Sequence, residues 1–188
     1  MSNIVKLSLN LFVICAVAAL LLGFTNKITS PIIEDRSIQA NNESRKIVLP
    51  QAKEFELVNN SEYESVDGIV SEVYEGKNGS DIVGYTIKTL PKGYGGEIEL
   101  IVGMSSDGKI TGINIGDMSE TPGLGSKANE PNFKDQFSGK KASRITVVKG
   151  ETSSDNEISA ISGATITSDA VTNGVNAAIE LFNNYLNK

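Results

Sequence analysis

Two short stretches hold the residue types from which chemistry could be built. In Ser162-Gly163-Ala164-Thr165-Ile166-Thr167-Ser168, hydroxyls stand among small residues just ahead of a segment with helical apolar spacing. Gly163 and Ala164 clear space beside Thr165 for a large planar ligand or a modifying enzyme. A hydroxyl at that place also adjoins the unpaired N–H groups and positive dipole end of a helix N-terminus, which favour a phosphate. The plain alternative is that Thr167 or Ser168 only caps the helix. The second stretch, Glu120-Thr121-Pro122-Gly123-Leu124-Gly125-Ser126-Lys127, combines a Pro-Gly turn with two glycines that permit close backbone approach to a ligand. An ordinary turn has the same composition.

What the chain lacks narrows the chemistry further. It has no histidine, which removes the commonest general base and transition-metal ligand. One cysteine, Cys15, cannot form a disulfide within the chain, and a zinc or iron–sulfur site cannot be assembled from Cys and His here. The net charge of -6 without a basic run argues against nucleic acid. No G-x-G-x-x-G nucleotide fingerprint is present, and no nucleophile has a neighbouring base, so no catalytic residue and no metal ligand is assigned. Redox chemistry in such a chain would need a borrowed organic cofactor.

The elements that must position these residues follow from pattern. Residues 7–24, LSLNLFVICAVAALLLGF, carry no charge and are close to the minimum length of a membrane-spanning helix, about 17–25 residues. A cleaved signal peptide is the alternative, and no A-x-A-like site follows the run. Lys6 precedes it and Lys27 and Arg36 follow, so charge does not decide the side. Ser30-Pro31 reads as the N-cap and first residue of a second helix running to Arg45. Residues 66–74, 82–90, 97–104 and 109–115 read as strands, with Ile98, Leu100, Val102 and Met104 on one face. Asp107-Gly108 between the last two signals a hairpin, and hence an antiparallel sheet. A further strand is expected at 144–148, a short segment at 133–137, and an amphipathic helix from about Ser168 to Leu186 with Val171, Val175, Ala178, Ile179 and Phe182 as its apolar stripe. The fold class is α+β, one N-terminal transmembrane helix followed by a domain with a mostly antiparallel sheet and packed helices. The expected divisions are a 1–26 anchor, a 27–50 helical connector and a 51–188 domain.

Both stretches, in this order behind one anchor, resemble the RnfG family, the FMN-binding G subunits of the Rnf electron-transport complex, and more distantly NqrC of the sodium-pumping NADH:quinone reductase. Family members carry S-G-A-T with FMN joined by a phosphoester to the threonine, which matches Thr165, with Ser162, Gly163 and Ala164 before it. They carry E-T-P-G-L-G in a loop lining the flavin, which matches Glu120, Thr121, Pro122, Gly123, Leu124 and Gly125. Gly93-Tyr94-Gly95-Gly96 is similar as well. The pattern departs at Ser159, where the family usually has Asp, and at Gly116-Asp117-Met118-Ser119, where many relatives have a histidine. The resemblance implies an FMN-carrying subunit that relays electrons within an Rnf-type ferredoxin:NAD oxidoreductase coupled to Na+ or H+ translocation, not a complete enzyme by itself. It implies other membrane subunits as partners, a flavin transferase for maturation, and a single-pass protein of the cell membrane with its soluble domain on the extracytoplasmic side. A free-standing flavinylated extracytoplasmic electron-transfer protein is the alternative.

Overall fold

The structure, a computed structural model, describes residues 3–58 and 68–187. The chain divides into two compact units, Met1–Ala40 and Asn41–Lys188. Helix α1 runs Asn3–Val48. Among the described residues it is the one helix long and apolar enough to cross a membrane, with a mean hydropathy of 2.5 in a window that is exposed throughout. At 1.5 Å per residue the uncharged run of residues 7–24 spans about 27 Å, close to the thickness of a hydrocarbon layer.

The break expected at Ser30-Pro31 is absent, because α1 continues through Pro31. A proline there gives up its N–H bond to the Lys27 carbonyl, and its ring crowds that carbonyl. Lys27 and Pro31 are exposed, which leaves that carbonyl open to outside partners. The hydroxyls of Thr25 and Thr29 fold back onto the Leu21 and Thr25 carbonyls nearby, at 2.8 and 3.0 Å.

The second unit is built on a five-stranded antiparallel meander in chain order: β1 (Glu54–Leu57), β2 (Val70–Asn78), β3 (Asp81–Thr89), β4 (Ile98–Ser105) and β5 (Ile110–Met118). Four of these fall where Val, Ile and Tyr alternate, and β2 extends four residues past the expected end at Tyr74. Residues 66 and 67 of that expected strand lie outside the described residues. Strand β1 is unexpected, since Glu54-Phe55-Glu56-Leu57 is short and mostly exposed. Gly108 takes a φ of 76° in the β4–β5 turn, as Asp-Gly there requires.

One face of the sheet forms the core. Val73, Ile87, Val102 and Ile113 lie in register across β2 to β5. Ile98, Leu100, Val102 and Met104 are all buried, and the stripe of helix α3 (Thr165–Leu181) is buried in the same cluster. Gly174 sets how closely α3 approaches. A Cβ there would come within 2.8 Å of Leu100 Cδ2 and Thr89 Oγ1. Short helix α2 (Pro131–Lys134), and strands β6 (Thr146–Val148) and β7 (Glu157–Ser159), which pair in parallel, complete the unit.

The opposite face receives the last turns of α1 and the residues just after them. Along it Gly76 pairs with Gly84, and Thr86 with Gly103 and then Gly112. These side-chain-free positions leave room for the Val48 backbone and the Leu49 side chain, which a Cβ on Gly76 or Gly103 would overlap. The Thr111 hydroxyl donates to the Val48 carbonyl, and Asn114 Nδ2 donates to Ser44 Oγ at 2.8 Å. Arg45, 3% exposed, lies over the Tyr74 ring at 3.7 Å and pairs with Glu72 at 2.6 Å. Glu72 and Glu99 flank Lys88, so the buried guanidinium sits in an alternating charge row rather than alone.

Residues 41–49 are thus part of the domain's packing. Fully burying Val48 and Leu49 is worth roughly 3–6 kcal/mol together. A fragment beginning at residue 41 is expected to fold, and one beginning at residue 51 to melt at least about 6 °C lower, as read by far-UV circular dichroism. Equal melting temperatures would show that the α1 terminus is not part of the folded unit.

Candidate functional site

Both sequence stretches fold into turns that need glycine at one place. In Thr121-Pro122-Gly123-Leu124 the Leu124 N–H bonds the Thr121 carbonyl at 3.1 Å, and Gly123 has φ 77°. In Ile161-Ser162-Gly163-Ala164 the Ala164 N–H bonds the Ile161 carbonyl at 3.0 Å, and Gly163 has φ 79°. Positive φ at the third residue is the requirement of a type II turn, which non-glycine residues meet at a cost. The two turns meet, since a Cβ on Gly163 would stand 3.2 Å from Leu124 Cδ2.

Helix α3 begins at Thr165, three residues earlier than periodicity predicts, and Thr165 is half-buried in its first turn. Thr167 and Ser168 therefore lie inside the helix and do not cap it. The N-cap position is Ala164, and no side chain caps the helix there. First-turn N–H groups have no intrahelical acceptor, so this end of α3 is a place for an anion. Ser168 holds the entry instead: its hydroxyl donates to the Ala164 carbonyl and accepts the Ile161 N–H, both at 2.9 Å.

Between the turns and α3 lies a cavity of about 530 Å³, within the usual range for a small-molecule site. Glu120, Thr121, Leu124 and Gly125 line one side, and Gly163, Ala164 and Thr165 the other. Tyr94, Ile166 and Thr167 line it too and are not among the expected site residues. Ile166 and Thr167 are hidden by the late helix start that periodicity suggests. Tyr94 stands in the Gly93-Tyr94-Gly95-Gly96 segment, whose glycines are the available signal. The tyrosine is 72% exposed and, with exposed Leu124 and Ile166, gives the cavity an apolar rim. Pro122 and Gly123 stay at the turn tip and do not line the cavity, and nothing lies within 4 Å of where a Gly123 Cβ would be. Ser162 opens instead onto a second cavity of about 560 Å³, which shares Gly163 and Thr165 with the first and includes Lys149 and Ser159.

Glu120 ties the parts together. It is 8% exposed, and its carboxylate accepts the Gly95 N–H at 3.0 Å and the Thr167 hydroxyl at 2.6 Å. Ser159, at the end of β7, is fixed by Gln136, which accepts its N–H at 2.7 Å, and its hydroxyl donates to the Gly150 carbonyl at 2.5 Å. Glu157, on the same strand, is held below the usual carboxylate range by the Ser153 N–H and hydroxyl. Its stabilisation is therefore present above the ordinary carboxylate range and is lost as pH falls through the lowered value. Among the described residues no cluster of Asp, Glu or Cys could hold a metal ion.

Residues 93–180 match the model of the FMN-binding domain family. The chain is 47% identical to the G subunit of the Na(+)-translocating ferredoxin:NAD(+) oxidoreductase complex of Acetobacterium woodii, over 95% of this chain and 91% of that one. It is 35% identical to the proton-translocating counterpart of Clostridium ljungdahlii, again over 95% and 91%. In fold it is similar to the C subunit of the Na(+)-translocating NADH-quinone reductase from Parabacteroides distasonis, with a TM-score of 0.54 at 22% identity over 72% of this chain and 77% of that one. The crystal structure of NqrC from Shewanella oneidensis gives 0.52 at 22%, over 62% and 59%.

The two loop glycines should respond differently to a methyl group. At Gly125 a Cβ would overlap Glu120 Oε2 and come within 2.6 Å of Thr167 Oγ1, whereas at Gly123 it meets open space but keeps a positive φ. Gly123→Ala should cost about 1 kcal/mol through the backbone alone. Gly125→Ala should cost roughly 1–3 kcal/mol and also alter the cavity. Urea unfolding of both variants checks the order, and an equal or reversed ranking contradicts this packing.

Proposed function

Because the chain belongs to the RnfG family, the G subunits of Rnf-type ion-translocating oxidoreductase complexes, we propose that it is a membrane-anchored electron-transfer protein that carries FMN covalently, as a phosphoester on Thr165. The observation that carries this reading is the placement of Thr165 in the uncapped first turn of α3, at the wall of the 530 Å³ cavity.

The residues present fit such a group. Gly163 and Ala164 keep bulk away from the threonine, and the first-turn N–H groups of α3 offer donors to a phosphodiester. Tyr94, Leu124 and Ile166 supply an apolar, partly exposed wall suited to a flat aromatic ring. FMN held there would supply the redox chemistry, which no side chain of this chain provides. The protein's own part is to bind and orient: the two type II turns set the mouth of the cavity, and Ser168 pins the turn that presents Thr165. The exposed rim leaves an edge of the cavity open to a neighbouring redox partner.

In this reading the chain works within a ferredoxin:NAD oxidoreductase complex that translocates Na+ or H+. Its partners are the other membrane subunits of that complex, and a flavin transferase matures it. The segment of residues 7–24 anchors it in the cell membrane, and the domain lies on the extracytoplasmic side, where the transferase would reach Thr165. Coverage of 95% of this chain at 47% identity supports the complex member over a free-standing flavinylated carrier. Co-purification with other membrane subunits separates the two.

Protein from a flavinylating host is expected to keep flavin fluorescence through acid precipitation and denaturing electrophoresis, and Thr165→Ala to lose it while keeping its far-UV spectrum. Fluorescence retained by Thr165→Ala would move the attachment to another hydroxyl. For the side of the membrane, single cysteines at Ser80 and Asn3 in a Cys15→Ala background are treated with an impermeant maleimide on intact cells. Labelling at position 80 and not at position 3 is expected, and the reverse pattern places the domain in the cytoplasm.

A further inference from the structure

The carboxylate of Glu120 is buried at the wall of the cavity, and among the described residues it makes no ion pair. A buried charge without a cation is costly unless donors meet it, and here they come from two distant segments. The Gly95 N–H comes from the loop before β4, and the Thr167 hydroxyl from the first turn of α3. Room for the carboxylate exists because its flanks are glycines. A Cβ on Gly93 would overlap Oε1, and one on Gly125 would overlap Oε2. An apolar residue would suit such a place better if only packing were required.

We propose that Glu120 is a positioning residue with an electrostatic role: it fixes the first turn of α3 so that Thr165 is presented for modification, and its charge lowers the reduction potential of the flavin in the cavity. This rests on the reading that Thr165 carries the flavin. Thr167 is two residues from Thr165 in the same turn, so holding the Thr167 hydroxyl at 2.6 Å fixes the direction of its neighbour. A negative charge at the wall of a partly water-excluded cavity opposes the arrival of electrons on any group held there, more strongly than it would in water. The Gly95 N–H can act only as a donor, so the oxygen it meets is held as an acceptor.

The test uses the full chain in a flavinylating host, with three variants read by covalent flavin yield, midpoint potential and far-UV circular dichroism. Glu120→Gln keeps the shape and an acceptor but removes the charge. It is expected to retain the flavin and to favour reduction at least tenfold, about 30 mV more positive for two electrons. Thr167→Val keeps the charge but removes the donor, and is expected to lower covalent yield several-fold with the spectrum of the fold unchanged. Glu120→Ala should show the loss of yield as well, and if it fails to fold, Thr167→Val carries that arm alone. An unchanged potential in Glu120→Gln, or full yield in Thr167→Val, overturns the inference while leaving the attachment intact. A wild-type chain without covalent flavin, or Thr165→Ala with wild-type flavin, overturns the attachment reading and this inference with it.

Discussion

A carboxylate removed from water must find donors inside the protein, and the site is arranged around the way Glu120 meets that requirement. Gly95 donates to one of its oxygens and Thr167 to the other, so satisfying one side chain brings three separate segments to one point. The glycines around it follow from the same need. Gly93 and Gly125 are where side chains would collide with the two carboxylate oxygens. Gly95 is where one would collide with the Ser119 carbonyl just before Glu120. At Gly93 and Gly95 the apparent looseness of this segment is therefore close packing, and Tyr94 between them stands out at the cavity rim.

The sheet separates two kinds of contact. Its core face is lined by Ile and Val and packs α3 through a conventional apolar stripe. Its other face carries glycines and a charge row, and takes the end of α1 through backbone and polar contacts as much as through burial. Glycine along one face of a sheet weakens the strands themselves. In exchange, the Val48 carbonyl comes within reach of the Thr111 hydroxyl, an approach that any larger residue at Gly103 would block.

Much of this is legible in the amino-acid order wherever a signal is local. The alternation of Ile98, Leu100, Val102 and Met104, and the Asp107-Gly108 turn, are properties of a few neighbouring residues, and the sheet follows them. Local pattern misleads where long-range contacts decide. Strand β1 exists because β2 offers it an edge, not because Glu54-Phe55-Glu56-Leu57 favours extension. The start of α3 at Thr165 depends on Ser168 reaching back to Ile161 and on Glu120 holding Thr167, neither visible in a run of Thr, Ile and Ser. Ser30-Pro31 has the grammar of a helix start, yet α1 runs through it despite the lost bond and the crowding that an interior proline brings. The motif residues that matter for shape, Gly123 and Gly163, are legible as turns, whereas the placement of Ser162 on the second cavity is not.

Thr165 belongs to the walls of both cavities, with Gly163 beside it. The threonine is thus a partition rather than a floor: the residue stands between an apolar-rimmed chamber and a more polar one that includes Lys149 and Ser159. Such a boundary has two approaches. For the attachment proposed above, a bulky reagent could contact the residue from one chamber while the attached group lay in the other, so arrival and residence would not compete for the same space.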